Sequence, residues 1–198
     1  MLQSSQKQAN RENLLAKGVT LLTQQGYHGT GLKEILDAVQ IPKGSFYNYF
    51  GSKENFCAEV VQYYLAPFIE QLESHLQNSE QDALTAITRY FNELIIELEK
   101  TDFKGGCLLG NLMGELGDTS DIVRTSLQVA VIQYRDLLRY GLEKAQQEGT
   151  VRADKSAEEL ADLLVNTWQG VLLRMKIEKS SVPLKQCCEN LLDDYFRA

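Results

Sequence analysis

The chain has 198 residues, a formal net charge of −7 at pH 7, and 43% hydrophobic and 24% charged residues. This length can bury a sizeable core in one or two modest domains, and the composition excludes a disordered or fibrous protein. No apolar run approaches the roughly 18 residues that a membrane span needs, and the N-terminus lacks the apolar segment of a secretory signal. We therefore expect a cytoplasmic protein with no membrane partner.

The distribution of charge and of cysteine restricts the class of protein further. Residues 1–53 contain six Lys/Arg and three acidic residues, a net charge of +3, whereas the remainder carries −10. A basic segment on an acidic body would orient the molecule on a polyanion. The four cysteines show neither metal-ligand spacing nor a disulfide framework, so we expect reduced thiols, no metal site and no cofactor.

The N-terminal segment begins with two predicted helices. Arg11–Gln25 has leucines at helical spacing and ends before Gly26, a typical C-cap residue. Thr30 is a good N-cap for a second, short helix over Gly31–Ala38, which has its own apolar face.

A third short helix is predicted over about Lys43–Tyr49, because Pro42 disfavours helical geometry before it and suits a helix start. Two short helices around a tight turn form the helix-turn-helix shape, whose second helix enters the DNA major groove. The third helix carries a lysine, a glycine and several hydroxyl and amide groups, which bond phosphates and base edges. Phe46 and Phe50 would anchor it to its own small core. From spacing alone, a buried aromatic helix of another all-α protein is the alternative.

The stretch QGYHGTGLKEILDAVQIPKGSFYNYFGSKENF resembles the N-terminal signature of the TetR/AcrR family of transcriptional repressors. The matching positions are Gly26-Tyr27, Thr30, Ile35, Lys43-Gly44-Ser45, Phe46-Tyr47, Tyr49-Phe50 and Ser52-Lys53-Glu54. The chain departs from the family pattern at Tyr49, where many members have histidine, and at Pro42, where small polar residues are common.

This resemblance implies a double-stranded DNA operator as partner, and it assigns roles to individual residues. Thr30 would cap the second helix and bond a phosphate, while Lys43 and Lys53 would contact phosphates. Gly44 would permit close approach to the DNA. The groove and its rim would be lined by Ser45, Tyr47, Asn48 and Tyr49.

Helical periodicity continues to the C-terminus, with no convincing strand pattern. Ser52 is expected to cap a helix that contains Pro67, where this helix either kinks or ends. Further helices are predicted over residues 83–100, 107–117 and 120–148, followed by two regular amphipathic helices. The architecture is all-α with about nine helices. We divide it into a helix-turn-helix DNA-binding domain, residues 1–52, and an effector-binding and dimerisation domain, residues 53–198.

The two C-terminal apolar stripes admit two interpretations: packing on their own subunit, or burial against a second chain in a four-helix bundle. The family resemblance implies a homodimer that contacts two half-sites about 34–36 Å apart, or a multiple of that distance, on a palindromic operator. The interface residues expected from the stripes are Leu164, Trp168, Val171, Leu172, Leu184, Cys188, Leu191 and Tyr195.

The resemblance also implies an effector pocket between the middle helices. No strong positive cluster points inward, which favours a small apolar or aromatic effector, although Arg135 and Arg174 could pair with a carboxylate. The candidate lining residues, each equally suited to a plain core, are Tyr63, Phe68, Tyr90, Phe91, Cys107, Met113, Tyr134 and Trp168.

Cys107 follows Lys104 and two glycines at a predicted helix N-terminus. The helix dipole and a nearby lysine favour the reactive thiolate. Some branches of the family carry Gly-Cys-Leu here, so the resemblance implies that this thiol could sense an electrophile or oxidant. The alternative is a small residue that closes helix packing.

An enzyme is disfavoured, because His28 and His75 are isolated and no glycine-rich phosphate loop follows a strand. The family resemblance therefore implies a homodimeric, ligand- or thiol-responsive transcriptional repressor. A transcriptional activator or another kind of DNA-binding module is the alternative.

Overall fold

The computed structural model describes residues 2–78 and 80–198. The described residues form nine α-helices and one C-terminal π-helical segment. Their bounds are Leu2–Gly29 (α1), Leu32–Val39 (α2), Lys43–Phe50 (α3), Lys53–Gln77 (α4), Ala83–Lys100 (α5), Leu108–Leu116 (α6), Asp121–Gln147 (α7), Ala157–Glu178 (α8), Val182–Cys188 (α9) and Glu189–Tyr195 (π-helical). Outside the helices, the described chain has one isolated antiparallel bridge, between Val151 and Arg197. The predicted all-α class and number of helices are confirmed.

The first compact unit contains the chain up to Ala66 together with Cys107–Ala130. Within it α1 packs closely on α4 at Gly18, where a Cβ atom would lie 2.5 Å from the Phe56 ring and 2.7 Å from Val60. Glycine is therefore required by the approach of the two helices. Arg11 of α1 also forms an ion pair with Glu59 of α4. The first part of α4 is thus a structural component of the unit that contains α1–α3.

Two predictions about the first helices are wrong. The first helix begins at Leu2, not at Arg11, and extends to Gly29 with a break at Gly26, whose φ of 73° and ψ of 178° suit glycine alone. The N-cap of α2 is Gly31, with no side-chain cap bond. Thr30 instead donates its hydroxyl to the Gly26 carbonyl oxygen at 2.7 Å, and its side chain is 1% exposed.

The second compact unit contains Pro67–Gly106 and Val131–Ala198. Its α8 starts with a capping box, in which the Ser156 hydroxyl accepts from the Glu159 amide and the Glu159 carboxylate accepts from the Ser156 amide. The unit's largest fully buried side chains include Leu72, Leu84, Ile87, Tyr90, Phe91 and Phe196.

Helix α4 crosses Pro67 without ending, so the sequence alternative of two separate helices does not occur. Its start agrees with the prediction, because the Ser52 hydroxyl accepts from the Asn55 amide at 3.0 Å. The compact units are a different partition from the functional domains 1–52 and 53–198, which remain a prediction. Within the described chain, no helix combines the length and apolar character that crossing a bilayer requires.

Candidate nucleic-acid interface

A tight turn joins α2 to α3. Gln40 ends α2 with a left-handed backbone, φ 55°, and its amide donates to the Leu36 carbonyl oxygen. Ile41 is buried, and its amide donates to the same oxygen at 3.2 Å. Pro42 is the N-cap of α3, and its carbonyl accepts from the Ser45 amide at 2.9 Å. The turn therefore holds two helices in the helix-turn-helix arrangement that the sequence predicts.

A cluster of three phenylalanines anchors α3 to the start of α4. Phe46 and Phe50 are buried, and their ring centroids lie 5.2 Å and 4.9 Å from that of Phe56 at the start of α4. The Arg11 guanidinium lies 5.4 Å from the Phe50 ring centroid. Each buried aromatic side chain contributes about 1.5–3 kcal/mol to folding, so α3 is held firmly on this cluster.

The opposite face of α3 is polar and open. Lys43, Gly44, Tyr47 and Asn48 are exposed, while Ser45 and Tyr49 are half-buried. The structure therefore brings six of the eight residues proposed for DNA binding onto one helix. Their hydroxyls and amide are groups that bond phosphate oxygens and base edges.

Two lysines give this surface its positive charge. The Lys43 ammonium lies 5.8 Å from the Tyr47 ring centroid, and the Lys7 ammonium lies 5.9 Å from the Tyr49 ring centroid. Among the described residues, neither lysine has a carboxylate within ion-pair distance. Lys7 is not among the residues predicted from the sequence, because the first helix was expected to begin only at Arg11, although the preceding residues include no helix breaker.

The fold does not require a glycine at position 44. A Cβ atom there would meet nothing within 4 Å, and the backbone does not adopt a positive φ. Glycine in a helix is less favourable than alanine by about 1 kcal/mol. Close approach of another molecule to this part of α3 would account for the residue.

Two of the proposed phosphate contacts are already engaged inside the chain. Thr30 is buried, as described above. Lys53 donates to the Tyr27 carbonyl oxygen at 2.6 Å and lies 4.0 Å from the Tyr27 ring centroid. Burial lowers the pKa of the Lys53 ammonium, and the nearby Glu115 carboxylate partly opposes that effect. Thr30 is therefore buried within the first unit, whereas Lys53 is half-buried and uses one of its ammonium N–H groups inside the chain.

Four of the proposed pocket residues come together in the second unit. The ring centroids of Phe91 and Trp168 lie 4.7 Å apart, and Tyr90 lies 5.3 Å from Phe91 and 6.4 Å from Tyr134. Phe68 of the same unit is half-buried.

The remaining candidates belong to the first unit, where Tyr63 and Met113 are exposed and Cys107 is half-buried. Tyr63 and Met113 lie just outside the buried stripes of α4 and α6. Helical spacing alone therefore predicted, wrongly, that their side chains face inward. Arg135 is paired with Asp136 and Asp162, and Arg174 with Glu178, so neither offers an uncompensated charge to a carboxylate.

Most residues proposed for the dimer interface are buried within the single chain. Val171 and Leu191 are half-buried and Tyr195 is exposed. The five buried side chains are those of Leu164, Trp168, Leu172, Leu184 and Cys188. They form the core of their own unit, because the most continuous apolar stripe of each helix packs inward. A different stripe of α8 is exposed: Leu163, Gly170, Leu173 and Ile177.

The four cysteines are thiols in different environments. Burial raises the pKa of Cys57 and Cys188 to about 12 and that of Cys187 to about 11. Cys107 is half-buried and is the N-cap residue of α6. The lysine expected to activate it, Lys104, lies 3.4 Å from the Asp102 carboxylate.

Comparison with known proteins identifies similar sequences over both ends of the chain. Residues 14–60 match the family described as bacterial regulatory proteins, tetR family. Residues 83–191 match the family described as tetracyclin repressor-like, C-terminal domain. The first match covers α2, the turn and α3, the helix that carries the exposed polar face.

Individual relatives are similar over nearly their whole length. The chain is 36% identical to the HTH-type transcriptional repressor DhaR of Mycobacterium sp. (strain GP1), covering 89% of this chain and 87% of DhaR. It is 31% identical to the HTH-type transcriptional repressor NemR of Escherichia coli, covering 88% of each. The crystal structure of the reduced form of E. coli NemR superimposes with a TM-score of 0.88 at 29% identity, covering 96% of this chain and 97% of that one.

Proposed function

This chain belongs to the TetR family of bacterial regulatory proteins, and we propose that it is a homodimeric cytoplasmic repressor that binds a palindromic operator through α3. In this proposal it releases the operator in response to a small apolar or aromatic effector, or to modification of Cys107. The relatives DhaR and NemR are named helix-turn-helix transcriptional repressors.

The observation that carries the proposal is the outer face of α3. Lys43, Tyr47 and Asn48 are exposed on a helix that a phenylalanine cluster anchors. The side chains of Lys43, Tyr47 and Asn48 form no side-chain hydrogen bond or ion pair with the rest of the described chain. Phosphate contacts would position this helix, and Asn48 can pair with an adenine edge in the major groove.

The exposed stripe of α8 supports a homodimer. Leu163, Gly170, Leu173 and Ile177 follow one another at intervals of seven, three and four residues, so they share one helix face. A Cβ atom on Gly170 would meet nothing within 4 Å, so the chain itself gives no reason for a glycine inside α8. A second copy packed closely against this face would bury the stripe and account for the glycine.

The aromatic cluster of the second unit, in which Tyr134 is half-buried and the other rings are buried, supports an apolar or aromatic effector. Tyr90, Phe91, Tyr134 and Trp168 provide ring faces and edges against which such a molecule could stack. To change the operator-binding population from 99:1 to 1:99, the effector must prefer the released state by about 5.5 kcal/mol.

Modification of Cys107 is the second candidate signal. The thiol lies at the start of α6, and the loop that precedes it contains two non-glycine residues with left-handed backbone, Asp102 (φ 54°) and Phe103 (φ 58°). Such backbone strain often occurs at switch regions. Iodoacetamide labelling at neutral pH should modify Cys107 before the three buried thiols, and an unreactive Cys107 would remove this part of the proposal.

The central experiment selects operator DNA with the purified protein. Fragments of genomic DNA are incubated with the full chain, bound fragments are recovered, and the protected site is footprinted. We expect a two-fold symmetric site with half-sites about 34–36 Å apart or a multiple of that spacing. A footprint over the promoter core supports repression, whereas one upstream of it favours an activator.

Matched variants test the assignment of the site to α3. The double variant Tyr47→Ala/Asn48→Ala should no longer bind the operator recovered in that selection. It should keep its fold, because both side chains are exposed. Lys100→Ala is the control, since Lys100 is an exposed lysine on α5. A chain that sediments as one subunit and prefers no duplex at low ionic strength would contradict the proposal.

A further inference from the structure

The break in α1 at Gly26 leaves backbone groups that must find partners elsewhere. Its φ of 73° and ψ of 178° interrupt the helix, so the amides of Tyr27 and His28 begin a new helical turn. Amides at the start of a helical turn have no carbonyl partner within the helix. These two amides lie directly before Thr30 and the start of α2.

A carboxylate from α6 accepts both amides. The same oxygen of Glu115, Oε2, lies 2.9 Å from the Tyr27 nitrogen and 3.1 Å from the His28 nitrogen. A Cβ atom on Gly26 would overlap the Glu115 carboxylate. Glycine at position 26 therefore both allows the break and leaves room for the group that satisfies it.

Helix α4 contacts the carbonyl side of Tyr27. Lys53, the first residue of α4, donates to the Tyr27 carbonyl oxygen at 2.6 Å, and its ammonium lies over the Tyr27 ring. Hydrogen bonds to charged groups are roughly twice as strong as neutral ones. The Glu115 carboxylate of α6 and the Lys53 ammonium of α4 therefore both hydrogen-bond to Tyr27, in the last turn of α1.

We infer that Glu115 is the positioning residue through which α6 sets the orientation of α2 and α3 for operator binding. This inference rests on the proposed function of α3. Cys107 and Glu115 lie eight residues apart at opposite ends of one rigid helix, a rise of about 12 Å. A movement of α6 must therefore either pull the turn before α2 with it or break both hydrogen bonds to Glu115.

The test compares Glu115→Ala and Glu115→Gln with the wild-type chain on the recovered operator. Glu115→Ala should weaken operator binding by about tenfold or more, the equivalent of one hydrogen bond to a charged group. Glu115→Gln keeps an oxygen that can accept from the amides, so its affinity should fall between the two. The dependence of affinity on salt should be unchanged in all three, since no phosphate contact is removed.

Hydrogen exchange separates a positioning role from a general loss of fold. Exchange of the Tyr27 and His28 amides should accelerate in Glu115→Ala, while amides in the α3 core around Phe46 keep their protection. Asp118→Asn, which removes one exposed carboxylate just beyond α6, is the charge-matched control and should behave as wild type.

Three results bear on the inference. Faster exchange at Tyr27 and His28 with unchanged operator affinity would overturn it. Equal loss of affinity in Glu115→Gln and Glu115→Ala, together with lost protection around Phe46, would also overturn it and leave Glu115 as a stability residue. A wild-type chain that binds no duplex would instead contradict the proposed function itself.

Discussion

Helices α3 and α8 both carry a partner-binding face in the proposed function, but only in α3 are the residues that the sequence predicted for that face exposed on the folded chain. In α3 the buried residues are aromatic and the outward residues are polar, so the two faces differ in chemistry. In α8 both faces carry apolar residues: Leu164, Trp168 and Leu172 are buried, while Leu173 and Ile177 are 54% and 84% exposed.

The contrast shows when amphipathic spacing alone is enough to identify the exposed, partner-binding face of a helix. A helix that binds DNA needs polar groups outward, and hydrophobic burial then selects the other face without competition. A helix that joins two subunits needs apolar residues outward as well. Periodicity cannot distinguish its own core from an interface, and here the more continuous stripe belonged to the core. The following predictions test this distinction, beginning with the largest expected effect.

Charging the exposed stripe of α8 should separate the subunits. Leu173→Glu/Ile177→Glu places two carboxylates where a second copy would pack, and the single chain should remain folded because both side chains are exposed. Linking two binding modules raises overall affinity by about 10²–10⁴-fold, so operator affinity should fall by about 100-fold or more. Analytical ultracentrifugation and operator titration measure the two effects. Ile96→Glu, an exposed isoleucine of α5, should stay dimeric.

Substitutions at two adjacent positions of α3, Phe46 and Tyr47, should differ strongly in their effect on stability. Phe46→Ala removes a fully buried ring and should destabilise the protein by about 3–5 kcal/mol. Tyr47→Ala alters an exposed side chain and should change the free energy of unfolding by within about 0.5 kcal/mol. Denaturant unfolding gives both values. Comparable destabilisation by the two variants would mean that Tyr47 is part of the core.

Asn48 should provide base discrimination and not general affinity. If its amide pairs with an adenine edge, Asn48→Ala should reduce discrimination at that base pair by about 1–3 kcal/mol. Titration against a set of operators that differ at one position measures this. Equal losses on every operator would show that Asn48 reads no base.

Lys43 and Lys7 should act as phosphate contacts. Each Lys→Ala change should weaken binding to all sequences alike and lower the slope of log affinity against log salt by about one. The slope is obtained by titrating operator DNA at several salt concentrations. An unchanged slope for Lys7→Ala would limit the interface to α3, and the pairing of Lys7 with the Tyr49 ring would then be local packing.

Gly44→Ala should raise stability slightly and lower operator affinity. Alanine favours a helix over glycine by up to about 1 kcal/mol, and its Cβ meets no atom of the chain, so the melting temperature should rise slightly. Operator affinity should fall, because the methyl group would occupy the space proposed for the DNA backbone. Unaltered affinity would show that the backbone does not approach α3 there.

Local chemistry determined much of this protein from the sequence alone. The all-α class, the tight turn before α3, the Ser52 cap and the polar face of α3 all follow from spacing and residue type within a few positions. Each depends on interactions between neighbours along the chain, which is why a pattern could predict them.

Contacts between distant segments decided the remainder. The early start of α1 brings Lys7 beside Tyr49, and Lys53 donates a hydrogen bond to the Tyr27 carbonyl oxygen, 26 residues earlier in the chain. Glu115 meets the Gly26 break across 88 residues of chain. Which stripe of α8 enters the core was likewise settled by packing, because hydrophobic burial depends on area removed from water and not on sequence order. Such pairings have no periodic signal in a single sequence, and only the folded chain brings them together.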